Sequence, residues 1–205
     1  MIAIIDYGVG NLFSLDASFR SLGAETVVTG DAEVIRSAER IVLPGVGAFA
    51  DAAAKLHATG LDAVVCAEAE AGKPLLGICL GMQMLFRRSH EYGTHEGLGL
   101  IPGEVCPIAP VIGAGLKVPH IGWNSLDFPA GKEKSPLFRY IDEGDYVYFV
   151  HSFAAMGCDD AVIATSTYGV PLTAAVARDN VFGTQFHPEK RGDVGLRILR
   201  AFCET

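Results

Sequence analysis

The chain has 205 residues, half of them hydrophobic, enough for one sizeable α/β domain with a full core, which excludes a disordered polymer. A formal net charge of −8 with no basic run argues against non-specific nucleic-acid binding. No apolar run reaches membrane-spanning length.

Ile2–Ile5 is a continuous apolar run of the kind a central parallel strand needs when both faces are covered. With no basic n-region and no cleavage site, the N-terminus reads as a first strand rather than a signal peptide. Asp6-Tyr7-Gly8-Val9-Gly10-Asn11 is a tight loop into a helix carrying Leu12, Leu15, Phe19 and Leu22. It is not a dinucleotide fingerprint, because the third glycine of Gly-x-Gly-x-x-Gly falls at Phe13. Ala24–Val28 reads as a second strand, Asp31 opens a short helix around Val34 and Ile35, and Arg40–Leu43 is a third strand. Pro44-Gly45-Val46-Gly47-Ala48-Phe49 then leads into a helix through Ala52, Ala53 and Leu56. Loops at the C-terminal ends of parallel strands are where α/β folds build their sites. This one either turns backbone N–H groups toward a ligand or is a plain strand–helix turn. Leu61–Glu70 is another helix, and to this point strand and helix alternate, the pattern of a doubly wound, mostly parallel sheet.

The next strand carries the stretch the rest of the chain serves, Pro74 to Phe86. An apolar run enters Gly77-Ile78-Cys79-Leu80-Gly81, and an apolar helical pattern follows through Phe86. Strand, sharp turn and helix make a nucleophile elbow with sulfur in place of a serine oxygen. Gly77 and Gly81 lack a Cβ and tolerate the crowding of that turn. A helix starting near Leu80 aims free N–H groups at Cys79 and favours its thiolate. A lone buried cysteine would otherwise be a small core residue. The elbow requires a histidine elsewhere, oriented by a third group.

Arg87–Gly99 is polar. From Leu100 to Gln185 short apolar stretches alternate with turns: Val105–Ile108, Leu116–Trp123, Tyr146–Phe153, Ala161–Ser166, Leu172–Val176 and Val181–Phe186. Helix is scarce, so this half adds strands to the sheet and forms a smaller antiparallel layer. No linker interrupts it, and residues 1–205 read as a single domain. The chain ends in a helix from Asp193, read as its cap, through Leu196, Leu199 and Phe202. None of the five cysteines forms Cys-x-x-Cys, so a zinc site is not expected, and the reading calls for no cofactor. Their odd number suggests reduced thiols and a cytoplasmic location.

The required histidine stands in Phe186-His187-Pro188-Glu189. In an extended chain residues two apart share a face, and Pro188 biases His187 toward extended geometry. Glu189 then holds one imidazole nitrogen and leaves the other for Cys79. No other histidine has a carboxylate so placed. His120 and His151 sit beside aromatic residues, as wall or rim of a site.

Gly77-Ile78-Cys79-Leu80-Gly81-Met82-Gln83 together with His187-Pro188-Glu189 resembles the class I (triad) glutamine amidotransferases. The Pro44–Phe49, Lys117–Asn124 and Tyr148–Phe153 stretches are similar to one branch of that class, the glutaminase subunits that serve a cyclase in histidine biosynthesis. The resemblance implies a flavodoxin-like fold and hydrolysis of L-glutamine to glutamate and ammonia through a Cys79 thioester, with His187 and Glu189 completing the triad. The oxyanion donors are then the N–H of Leu80 and that of Val46 or Gly47. Gln83, one helical turn past Cys79, is expected to reach the substrate. Glu91 is implied as partner of its ammonium group, and His151, Ser152 and Phe153 as backbone contacts. The resemblance also implies a separate (β/α)8-barrel cyclase subunit, forming a heterodimer with contacts near Asn11, Ser14, Trp123 and Lys190. That cyclase makes imidazole glycerol phosphate and an aminoimidazole carboxamide ribonucleotide. The branch usually has Ser after His-Pro-Glu-Lys, where this chain has Arg191. Competing readings are a glutaminase for another synthetase, a silent interaction subunit that keeps the fold, and a cysteine peptidase.

Overall fold

Strand and helix alternate in the first half of the computed structural model, which describes residues 1–190 and 192–205. Arg191 lies outside the described residues. In order come β1 (Ile2–Ile5), α1 (Leu12–Ser21), β2 (Thr26–Thr29), α2 (Ala32–Ser37), β3 (Arg40–Gly45), α3 (Phe49–Ala58), α4 (Leu61–Glu70), β4 (Leu75–Cys79) and α5 (Leu80–Met84). The second half is mostly strand: β5 (Phe86–Ser89), β6 (His95–Glu96), β7 (Ile101–Pro107), β8 (His120–Ser125), β9 (Tyr146–His151), β10 (Phe153–Met156), β11 (Val162–Tyr168), β12 (Val170–Arg178) and β13 (Val181–Thr184), closed by α6 (Asp193–Cys203).

The main sheet has the order β11-β12-β13-β4-β3-β1-β2. Its pairs from β13 to β2 are parallel, and β11 and β12 add antiparallel at the edge. Strand period 2 splits the core between the two faces. Ala3, Ile5, Ile41 and Leu43 face one way, toward Ile35, Leu56, Leu61 and Val65 of α2, α3 and α4. Ile2, Ile4 and Val42 face the other, toward Leu15 and Phe19 of α1 and Ile198, Leu199 and Phe202 of α6. β10-β7-β5-β6 forms a second sheet and β8-β9 an antiparallel ribbon. The smaller layer is thus not wholly antiparallel, since β5 and β7 run parallel.

Several boundaries differ from the sequence reading. The helix after Cys79 stops at Met84 because the chain entering β7 captures its last carbonyls: Leu98 N–H donates to Met84 and Ile101 N–H to Leu85. Phe86 therefore starts a strand that the polar Arg87–Gly99 segment hid. Tyr146–Phe153 is two strands in different sheets, broken at Ser152. Residues 116–119 precede β8 rather than belonging to it. Asp193 is not the cap of α6: Gly192 holds that position, and Asp193, inside the first turn, pairs with Arg197 one turn on at 3.0 Å.

The parallel registers create the site. Gly45 pairs with Cys79, and Thr184 pairs with Ile78. The chain leaving β3, β4 and β13 therefore emerges at one edge, where Val46-Gly47, Cys79 and Gln185-Phe186-His187 converge.

Candidate active site

Helix α5 lies across the sheet on a floor of glycines. A Cβ on Gly77 would meet the Gly81 carbonyl at 2.7 Å, one on Gly45 would meet Gly81 N at 2.7 Å, and one on Gly183 would meet Met82 Cγ at 2.7 Å. A Cβ on Gly81 itself would run into the Leu43 carbonyl oxygen. Three neighbouring strands thus give up side chains so that the helix sits directly on backbone. Cys79 takes up the turn with φ 55° and ψ −112°, a left-handed value costly for a residue with a Cβ.

The base arrives from the strand beside it. The backbone N–H of His187 donates to the Tyr148 carbonyl at 3.1 Å, tying the loop after β13 to β9. His187 Nδ1 lies 2.9 Å from Glu189 Oε1, and both side chains are buried. The carboxylate accepts, so Nδ1 carries the proton and Nε2 is left for Cys79. Burial works against the imidazolium, but the neighbouring Cys79 and the Glu189 carboxylate more than offset it. His187 is pushed up to about 10. Burial first, then charge on Cys79, raises the Tyr7 phenol above its ordinary range, and its hydroxyl donates to the Pro44 carbonyl at 2.7 Å.

A cavity of about 350 Å³ opens over the sulfur. Val46, Gly47, Cys79, Leu80, Gln83, Glu91, His151, Ser152, Phe153 and His187 all line it, while Glu189 lies behind the imidazole. Tyr92, Pro119 and Val150 complete the wall and were not foreseen. Three of the polar groups, besides His187, already have protein partners. Gln83 donates from Nε2 to the Phe153 carbonyl at 3.2 Å and to Gln185 Oε1 at 3.0 Å. Glu91 Oε2 accepts the Phe49 N–H at the start of α3 at 2.6 Å. His151 is bonded through Nδ1 to the Phe153 carbonyl at 2.9 Å and through Nε2 to His120 Nδ1 at 3.1 Å. Burial lowers it to about 4, so it stands neutral in the wall.

Gln185 escaped the sequence reading. It is fully buried, and its Nε2 lies 3.8 Å from Cys79 Sγ. The period-2 argument that pairs His187 with Glu189 reaches Gln185 equally well, two residues the other way.

The four residues expected near a partner are on the surface rather than in the cavity. Trp123 is half exposed on β8 and stacks edge-on with Tyr148 of β9. Its ring lies 3.5 Å from where a Cβ on Gly192 would stand, next to exposed Lys190. Asn11 and Ser14 are half-buried at the start of α1.

Comparison with known proteins bears on the family and the fold. The glutamine amidotransferase class-I family profile matches residues 3–204. The chain is 46% identical over 206 residues to the imidazole glycerol phosphate synthase subunit HisH of Wolinella succinogenes, covering 100% of this chain and 99% of that one. It is 50% identical over 205 residues to the protein of that name from Geobacillus kaustophilus, covering 98% and 95% of the two chains. Among solved structures, a crystal structure of a glutamine amidotransferase superposes with TM-score 0.76 at 18% identity, over 100% of this chain and 98% of that one. PurLQS from Thermotoga maritima superposes with TM-score 0.72 at 21% identity, over 99% and 97%. At those identities the structures speak for the fold alone.

Proposed function

The chain belongs to the class I glutamine amidotransferase family, and from that premise we propose that Cys79, His187 and Glu189 are its nucleophile, base and orienting carboxylate. The activity is that of a glutamine amidotransferase subunit of imidazole glycerol phosphate synthase, in histidine biosynthesis. Cys79 sulfur attacks the side-chain amide carbon of glutamine, and the amide π electrons move to its oxygen. The proton held by the Cys79–His187 pair goes to the leaving nitrogen, and ammonia departs as the carbonyl re-forms in a glutamyl thioester. Water, deprotonated by His187, adds to the thioester, and the C–S bond breaks to give glutamate and free Cys79. Each tetrahedral oxyanion is stabilised by the N–H of Leu80, with Val46 or Gly47 as second donor. Loss of one such donor typically costs roughly 10²–10³ in rate.

In the same reading Gln83, Glu91 and the His151-Ser152-Phe153 segment hold the amino-acid end of glutamine. The partner is a cyclase, which we take to be a separate (β/α)8-barrel chain docking against Asn11, Ser14, Trp123 and Lys190 in the cytoplasm. No helix of the described residues is long and apolar enough to cross a membrane.

One observation carries the catalytic assignment: a buried 2.9 Å Nδ1–Oε1 bond presents the imidazole to a cysteine held in a left-handed turn. The test is glutamate release from glutamine with the cyclase partner present, for the native chain and for Cys79→Ala. The variant should be inactive while still folding. Equal rates would end the assignment.

A further inference from the structure

The orientation of two buried amides follows from one fixed acceptor. The Phe153 backbone carbonyl has no proton to give, so the end of Gln83 that lies 3.2 Å from it is the NH2 end. That NH2 end also lies 3.0 Å from the Gln185 side chain, which must therefore present its oxygen. With its oxygen committed to Gln83, Gln185 turns its own NH2 end to Cys79 Sγ, 3.8 Å away. Gln83 is 6% exposed and Gln185 0%, so bulk water does not compete for these bonds. Sulfur is a weak acceptor as a thiol and a much better one when ionised, because charge-assisted hydrogen bonds are the strong ones.

We propose that Gln185 is a further catalytic residue, whose side-chain N–H donates to the Cys79 sulfur, with Gln83 as the positioning residue that fixes the direction of its amide. This rests on Cys79 being the nucleophile. The bond works twice in the cycle. Before attack it favours the thiolate and holds its rotamer. In thioester hydrolysis, when the C–S bond breaks and its electron pair returns to sulfur, the same N–H receives the leaving thiolate. Gln83, with both N–H groups committed, has only its carbonyl oxygen to offer glutamine.

Gln185→Glu keeps the shape and the acceptor for Gln83 but faces sulfur with a second oxygen. Gln185→Met removes donor and acceptor together. The readouts are the pH profile of Cys79 alkylation by iodoacetamide on the intact chain, and glutamine hydrolysis with the cyclase present. In both variants the alkylation profile should move to higher pH by about one unit, so that at any pH below the native midpoint alkylation is roughly tenfold slower. kcat should fall roughly ten- to a hundredfold with KM within about twofold, the range for a hydrogen bond to a charged group. A purely structural Gln185 would lower the yield of folded protein and leave the alkylation profile of the folded fraction where it was. A profile superimposable on the native one in either folded variant overturns the proposal. If neither variant folds, the side-chain N–H resonance of Gln185 in the 15N-labelled native chain must titrate with the alkylation midpoint, and a resonance that stays put overturns it. Cys79→Ala separates the two levels. Hydrolysis surviving in that variant refutes the nucleophile itself, whereas loss there with normal Gln185 variants refutes this inference alone.

Discussion

His151 and His187 share one cavity wall and respond to pH in opposite ways. Burial holds His151 down to about 4, with the nearby His120 also opposing its charge, while the unfolded chain takes up the same proton near 6.5. Between those values the unfolded state binds more protons, so stability falls as pH drops through the window from 6.5 to about 4. The full shift is worth about 3 kcal/mol. The measurement is urea unfolding of the native chain and of His151→Leu at pH 7 and pH 4.5. The native protein should lose more stability than the variant on acidification, and an equal loss in both would refute the assignment. His187 has its native value raised to about 10. The stability its proton confers is complete below about pH 6.5 and is lost as pH rises through about 10. If Glu91 holds the substrate ammonium as proposed, one carboxylate serves twice. Ala48, at the cap position of α3, makes no side-chain cap bond, and Glu91 supplies the missing acceptor to Phe49 from across the cavity. A substrate ammonium group would meet a carboxylate already fixed in place by a helix N-terminus.

The elbow depends on the contact between α5 and the three strands beneath it. Gly81→Ala drives a methyl group into the Leu43 carbonyl oxygen, a backbone atom that cannot rotate away. Overpacking of this kind costs roughly 1–3 kcal/mol. Displacement of Cys79 by about an ångström should cost roughly 10²-fold in glutamine hydrolysis. A thermal melt together with hydrolysis rates checks both, and native-like activity in a folded Gly81→Ala chain would show that the floor does not position the sulfur. Half of that floor was legible in advance. Gly77 and Gly81 flank the cysteine in sequence and mark the turn, but Gly45 and Gly183 lie on other strands and gain meaning only through the registers that bring them under the same helix. The first half of the fold was readable because continuous apolar strands and amphipathic helices alternate there. In the second half most strands and α6 were legible as apolar stretches, but which sheet each strand joins was not, because the pairing partners lie far apart in the chain. The end of α5 is set by hydrogen bonds from residues 98 and 101, which no local pattern encodes. His187 with Glu189 could be read because their partnership is local, whereas the bond from Gln185 to Cys79 spans 106 positions.

On the proposed mechanism, ammonia released over Cys79 is useful only if it enters a second active site before it is lost as ammonium, so the surface near the cavity matters as much as the cavity. The β8–β9 ribbon supplies such a surface. Its register sets Ile121 against Val150 and Trp123 against Tyr148 on one face, while His120 and His151 pair on the other and are buried. Ile121, Trp123, Tyr146 and Val150 are all exposed there, a row of large apolar side chains that a lone soluble chain gains nothing by displaying. Val150 also lines the cavity, so the face and the site are continuous. If the cyclase docks here, Ile121→Glu places a charge in the middle of an apolar contact. Association should weaken roughly ten- to a hundredfold, as for truncation of a central interface residue. Ile121 is 58% exposed, so folding and Cys79 alkylation should be unchanged. Lys55→Glu, exposed on α3 beyond the opposite face of the sheet, reverses a charge without touching this surface and should leave association as it was. Titration calorimetry with the cyclase subunit distinguishes the two. Equal affinities for the Ile121 variant and the native chain would move the partner to another face, and the route for ammonia with it.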